Sequence, residues 1–190
     1  MTRVILTSVL SVIGLVAVLA IAAVAWIWLG GFDASAASPS QLANAPLHFA
    51  LERQMEQGAA NAPAPPPPTR RRTVIGYRQY DADCGVCHGT PIAPRAQWAR
   101  SMNPEPPDLT ATRTRLSPRQ LFWLICHGEK MTGMPAFGVQ RTDDQIWGLA
   151  LFVSALPDMS AQEYGRLRAA YGPAPRPFSL TPNAACLGAK

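Results

Sequence analysis

The sequence predicts an all-α protein, with one membrane-spanning helix, a proline-rich linker and a small helical domain. Three observations lead there. Residues Val4 to Leu29 contain no charged side chain. Ser117, Thr142 and Ser160 each stand where a helix should start. No stretch alternates apolar and polar residues in the manner of a half-buried strand.

The apolar run comes first. At about 1.5 Å per residue it exceeds the ~30 Å hydrocarbon core of a bilayer and can span it with some tilt. Ala34-Ser35-Ala36 has the small-x-small form that signal peptidase accepts, so a cleaved signal peptide is the rival reading. Signal-peptide apolar regions are typically about 7–15 residues, and the greater length here favours a retained anchor. Trp26 and Trp28 suit the far headgroup layer, and Arg3 with the amino terminus favours a cytoplasmic start and an external remainder. Both readings export the domain, and the predicted place is the cytoplasmic (inner) membrane, single-pass, with the domain in the periplasm.

Residues 32–72 read as a linker. Pro46 opens a short amphipathic helix with Leu47, Ala50, Leu51 and Met55 at helical spacing, and Gly58 can end it. That helix suits a membrane surface, a partner, or no docking role, and His48 within it is expected at the surface. Ala59 to Thr69 carries Pro63 and Pro65 to Pro68, a composition that favours a semi-rigid polyproline II spacer. The net charge of +5 is concentrated around Arg70-Arg71-Arg72, read as solvated linker or as a contact for anionic lipid or an acidic partner. Between Thr73 and Tyr171 the charges nearly cancel, which argues against nucleic acid as a partner.

The packed domain is expected over 73–171, roughly the 100 residues that can bury an adequate core, more easily around a cofactor. Tyr77 to Asp83 reads as a first helix. Ser117 and Pro118 supply an N-cap and an N1 proline for a second, ending near Gly128. Thr142 with Gln145 and Ser160 with Glu163 form capping-box patterns for a third and a fourth. Residues 172–190 are rich in proline and alanine and read as a disordered tail.

Cys84-Gly85-Val86-Cys87-His88 is the pattern of c-type haem attachment. Two thiols form thioethers to the vinyl groups and the histidine places an imidazole under the iron. A bare C-x-x-C would also suit zinc or a redox disulfide. Here Cys126 and Cys186 are too far apart in sequence to form a second C-x-x-C pair, and no βαβ pattern surrounds the motif. The second axial ligand must come from elsewhere, and Met102, Met131, Met134, Met159, His48 and His127 are the candidates. Met134 stands out, because Gly133 permits close backbone approach and Pro135 stiffens the loop. His127 precedes Gly128 at a helix end, where bonding terminal carbonyls is its ordinary role.

These residues resemble class I c-type cytochromes. The match includes the helix before Cys84, the Cys-x-x-Cys-His-Gly start, Pro106-Pro107-Asp108-Leu109, the loop Lys130-Met131-Thr132-Gly133-Met134-Pro135-Ala136-Phe137-Gly138, and a closing helix bearing Trp147 and Leu156-Pro157. With the anchor, the chain looks most like proteobacterial membrane-anchored monohaem cytochromes. The resemblance implies one haem c, His88 and Met134 as axial ligands, Leu109 against the haem, and a carbonyl of the Pro91 to Pro94 loop orienting His88. Cys126 and Cys186 could pair or remain separate thiols.

Three functions follow as expectations. The first is an electron carrier, not an enzyme, passing single electrons between respiratory-chain partners. The second is a haem peroxidase or small-molecule reductase with an open or displaceable sixth ligand, needing acid–base groups beside it. The third keeps the haem chemistry but fixes the protein as a subunit of a membrane redox complex.

Overall fold

The computed structural model describes residues 2–31, 35, 37, 41–111, 116–173 and 185–188. They fall into two units, Met1–Ser38 and Pro39–Lys190.

The first unit is helix α1, Thr2–Trp28. Its Val, Leu and Ile side chains are exposed on every face. A helix that is apolar all round and buries nothing against protein suits lipid. The span Arg3–Trp28 is long and apolar enough to cross a membrane, with a mean hydropathy of 2.8 over an 18-residue window. Asp33, Ala34 and Ala36 lie outside the described residues.

The second unit is helical, and its described residues contain no strand beyond a single bridge between Thr90 and Ala93. Its helices are α2 (Gln41–Asn61), α3 (Arg70–Gln79), α4 (Gly85–His88), α5 (Pro118–His127), α6 (Asp143–Ala155) and α7 (Ala161–Tyr171). The three start signals hold. Ser117, Thr142 and Ser160 each accept from the N–H three residues on, and the Gln120, Gln145 and Glu163 side chains return the bond. Two orphan donors are thereby satisfied at each helix start.

The core forms where α3 and α6 cross. Gly76 and Gly148 face each other there, and a Cβ on Gly76 would overlap the Gly148 carbonyl. Small residues let the two backbones approach until Tyr77, Tyr80, Phe152 and Tyr164 interlock. Tyr77 meets Tyr164 edge-on at 5.3 Å between ring centres, and Phe122 stacks on Trp147 at 4.2 Å. Such offset and edge contacts add to the apolar area these rings bury.

Four expectations about the flanks are corrected. The short amphipathic helix is longer, running through Pro46 and past Gly58 to Asn61. Gly58 does not end it; it lies against the Trp123 indole, which a Cβ there would overlap. With Met55 and Ala59 also buried, α2 packs on α5 as part of the domain. Next, the arginine triplet is the first turn of α3, capped by Thr69, and it starts the domain before Thr73. Arg71 and Arg72 pair with Asp144 at 3.2 and 3.1 Å, and Arg70 donates to the Tyr171 hydroxyl. Third, the expected helix over Tyr77 to Asp83 is the end of α3 followed by a π-helical turn, Tyr80–Cys84. Lastly, part of the tail is fixed: Cys186 is buried in a disulfide to Cys126 within a 3₁₀ turn, Ala185–Gly188. Residues 174–184 and 189–190 lie outside the described residues.

The crossing yields a stability test. Gly76→Ala should cost about 1–3 kcal/mol through overpacking. Gly165→Ala, on α7 with open space at its Cβ, should be neutral or slightly stabilising. Denaturant midpoints of the two variants against the parent check both, and equal midpoints for the two would contradict the packing account.

Candidate cofactor site

The π-helical turn carries α3 into the cysteine motif. One extra residue per turn places Cys84 at the end of Tyr80–Cys84 and starts α4 at Gly85, whose N–H bonds the Tyr80 carbonyl. The buried Tyr80 hydroxyl donates to the Gly89 carbonyl at 2.7 Å. Gly89 has φ +78°, a conformation that favours glycine, and it turns the chain out of α4.

Cys84, Cys87 and His88 line one side of a cavity of about 490 Å³, with apolar walls from Leu109, Leu116, Leu121, Leu124, Ile125 and Val153. The His88 Nδ1–H donates to the Pro107 carbonyl at 2.9 Å. This replaces the expected partner in the Pro91 to Pro94 loop. Thr90 and Ala93 bond each other across that loop, whereas the Leu109 N–H bonds the His88 carbonyl and brings Pro107 under the ring. With Nδ1 protonated, neutral imidazole carries its lone pair on Nε2, the form in which a histidine can ligate a metal. Burial pushes the His88 pKa below its ordinary value and Arg95 adds to this, against opposing effects of Pro107 and Asp108.

Arg95 is the residue that sequence reasoning missed. It donates to the Pro106 carbonyl and pairs with Glu105 at 2.8 Å, bracing the stretch that holds His88. A lone arginine after a proline-rich turn carries no local signal of such a contact.

Met134 reaches the same cavity from a closed loop. Gly128, at φ +67°, ends α5 where a Cβ would overlap the Pro135–Ala136 backbone. The Glu129 N–H bonds the Met134 carbonyl at 3.1 Å. The Thr132 hydroxyl donates to the Glu129 carbonyl and accepts from the Met134 N–H. Gly133 lies against Met102, whose terminal methyl a Cβ there would overlap.

Of the other candidates, Met102 and His48 also line the cavity. His48 is half exposed and sits 3.8 Å from Glu129. Met131 is exposed, Met159 packs on the core, and the His127 Nδ1–H donates to the Trp123 carbonyl at 2.9 Å. None of these three lines the cavity.

The donor set fits haem c. Cys84 and Cys87 are free thiols beside an apolar cavity with an imidazole and a thioether. Burial foremost, and then Asp83, pushes the Cys84 thiol up to about 12, unlike the acidic thiol of a redox dithiol. No group of three or more His, Cys, Asp or Glu side chains converges for a metal ion among the described residues.

Residues 72–153 match the family described as cytochrome C oxidase, cbb3-type, subunit III. The match covers under half of the chain, from the first turn of α3 into α6, and includes the whole cysteine motif and the Met134 loop. The fold is thus all-α with a cytochrome c domain, and the match implies haem c and electron transfer. No curated protein and no solved structure matches the chain.

Asp108 provides a pH test of the His88 support. Burial opposes its charge, but the Thr110 hydroxyl and the Thr110 and Ala111 N–H groups outweigh it, so its pKa lies below the ordinary carboxylate range. A folded value below the unfolded one gives stabilisation that is present above the ordinary range and lost as pH falls through the folded value. Asp108→Asn should therefore unfold earlier than the parent at neutral pH, with the gap closing in acid. Denaturation across pH 2–7 checks this, and a gap independent of pH would contradict it.

Proposed function

We propose that the chain is a membrane-anchored monohaem c-type cytochrome that passes single electrons on the periplasmic side of the inner membrane. One observation carries the reading: the motif residues Cys84, Cys87 and His88 and the distant Met134 line one apolar cavity. Haem, when bound, supplies a one-electron Fe(II)/Fe(III) couple. Cys84 and Cys87 attach it through thioethers. His88 and Met134 would hold its iron, and Leu109 would pack against it.

The residues divide the work. Pro107 fixes the imidazole so that His88 presents Nε2 as a lone pair. The Thr132 turn fixes the Met134 backbone, and thioether ligation raises the reduction potential. The leucines and Ile125 exclude water, which keeps reorganisation on electron transfer small. Helix α1 anchors the chain, and the partners are donor and acceptor proteins of a respiratory chain. The family match favours a fixed place in a membrane redox complex over a free shuttle.

A second reading, a haem enzyme with a displaceable sixth ligand, draws on His48 and Glu129, an acid–base pair at the cavity. An optical redox titration of the full-length protein in detergent separates the two. The oxidised parent and Met102→Ala should show the far-red sulfur-to-iron band, bleached on reduction, and Met134→Ala should lose it. A band that survives in Met134→Ala and vanishes in Met102→Ala would transfer the ligand role to Met102. A high-spin parent that binds carbon monoxide at once would favour the enzyme reading.

A further inference from the structure

Arg141 is buried and pairs with a partly buried Asp83, and the proposed electron-transfer role uses neither charge. Arg141 is 2% exposed. Its Nη2 donates to the Asp83 carboxylate, and its guanidinium lies 5.8 Å from the Phe137 ring centre. The Arg141 Nε has no partner. Such a pair is a poor device for stability, because desolvating both ions offsets most of their attraction and an apolar pair of similar volume often does as well or better. Its placement suggests another use.

Asp83 directly precedes Cys84 and lines the cavity. Arg141 follows the Met134 loop and the 3₁₀ turn Phe137–Val139, and stands behind Asp83 without lining the cavity. Both charges act on Cys84, in opposite directions. In a poorly polarisable interior such charges are weakly screened. An oxidised iron carries one more positive charge than a reduced one. A carboxylate nearby, even one only partly buried like Asp83, favours the oxidised form and lowers the potential, and a guanidinium does the reverse.

We propose that Asp83 and Arg141 form a potential-setting pair at the cysteine end of the site, with Asp83 the stronger partner. The inference rests on the reading above that haem is held by Cys84, Cys87 and His88. Arg141 makes the Asp83 charge tolerable in the interior and cancels part of its effect. The net influence is a lowered potential, which counters the raising effect of a thioether ligand.

The test is a redox titration of full-length, haem-loaded protein in detergent for the parent, Asp83→Asn, Arg141→Gln and the double variant. The expected order of potentials is Asp83→Asn highest, the double variant above the parent, and Arg141→Gln below it, with the sulfur-to-iron band kept throughout. Shifts of the same sign in the two single variants, or no shift, would overturn the proposal, since a merely structural role has no reason to give opposite signs. If a single variant does not take up haem, the double variant decides alone. A potential above the parent's supports the proposal, and one equal or lower overturns it. Haem loading and the band in the parent test the underlying reading separately.

Discussion

The close crossing of α3 and α6 at Gly76 and Gly148 is the contact on which the site depends. Helix α3 delivers the chain into the π-helical turn and the cysteine motif, and α6 follows directly on the segment that carries Met134. Holding the two backbones together therefore sets both walls of the cavity. The aromatic interlock of Tyr77, Tyr80, Phe152 and Tyr164 locks the crossing, and Tyr80 doubles as the strut that holds Gly89. Much of the packing near the cysteines is thus shared between core and site.

Around that frame, each ligand candidate is held by a different local device. His88 is fixed through a ring N–H to Pro107, and Pro107 is held by Arg95 on Pro106 and the Leu109 N–H on His88. Met134 is fixed by its backbone, through the Thr132 hydroxyl and Glu129. The imidazole needs a defined proton position, whereas the thioether needs only to be presented. The disulfide from α5 to the Ala185–Gly188 turn closes the back of this region, with Leu187 near Gly138. Helix α2, outside the matched residues 72–153, covers α5 and contributes His48 to the cavity.

Features written in neighbouring residues were legible in the sequence. The N-cap at Ser117, the capping boxes at Thr142 and Ser160, the cysteine motif and the apolar run of α1 each depend on spacing within a few residues or on one composition. Cys84, Cys87, His88, Leu109 and Met134 all line one cavity. What escaped was long-range. Gly58 has the form of a helix stop and serves as a seat for Trp123, 65 residues on by sequence number. The arginine triplet keeps Arg70 and Arg71 exposed, but nothing near it in sequence shows that Asp144 of α6 pairs with Arg71 and Arg72. Arg95 and Arg141 have no local signature, since their partners are set by tertiary packing. The carbonyl that orients His88 belongs to Pro107 and not to the nearer proline loop, because Thr90 and Ala93 close that loop on itself.

The central claim is that one haem is covalently held by Cys84 and Cys87 in the full chain. Intact-mass spectrometry of the denatured, membrane-extracted protein, alongside haem staining of a denaturing gel, tests it directly. The account predicts a single haem retained through denaturation and lost when both cysteines are replaced by alanine. Haem that extracts freely on denaturation, a second retained haem, or none at all would contradict it.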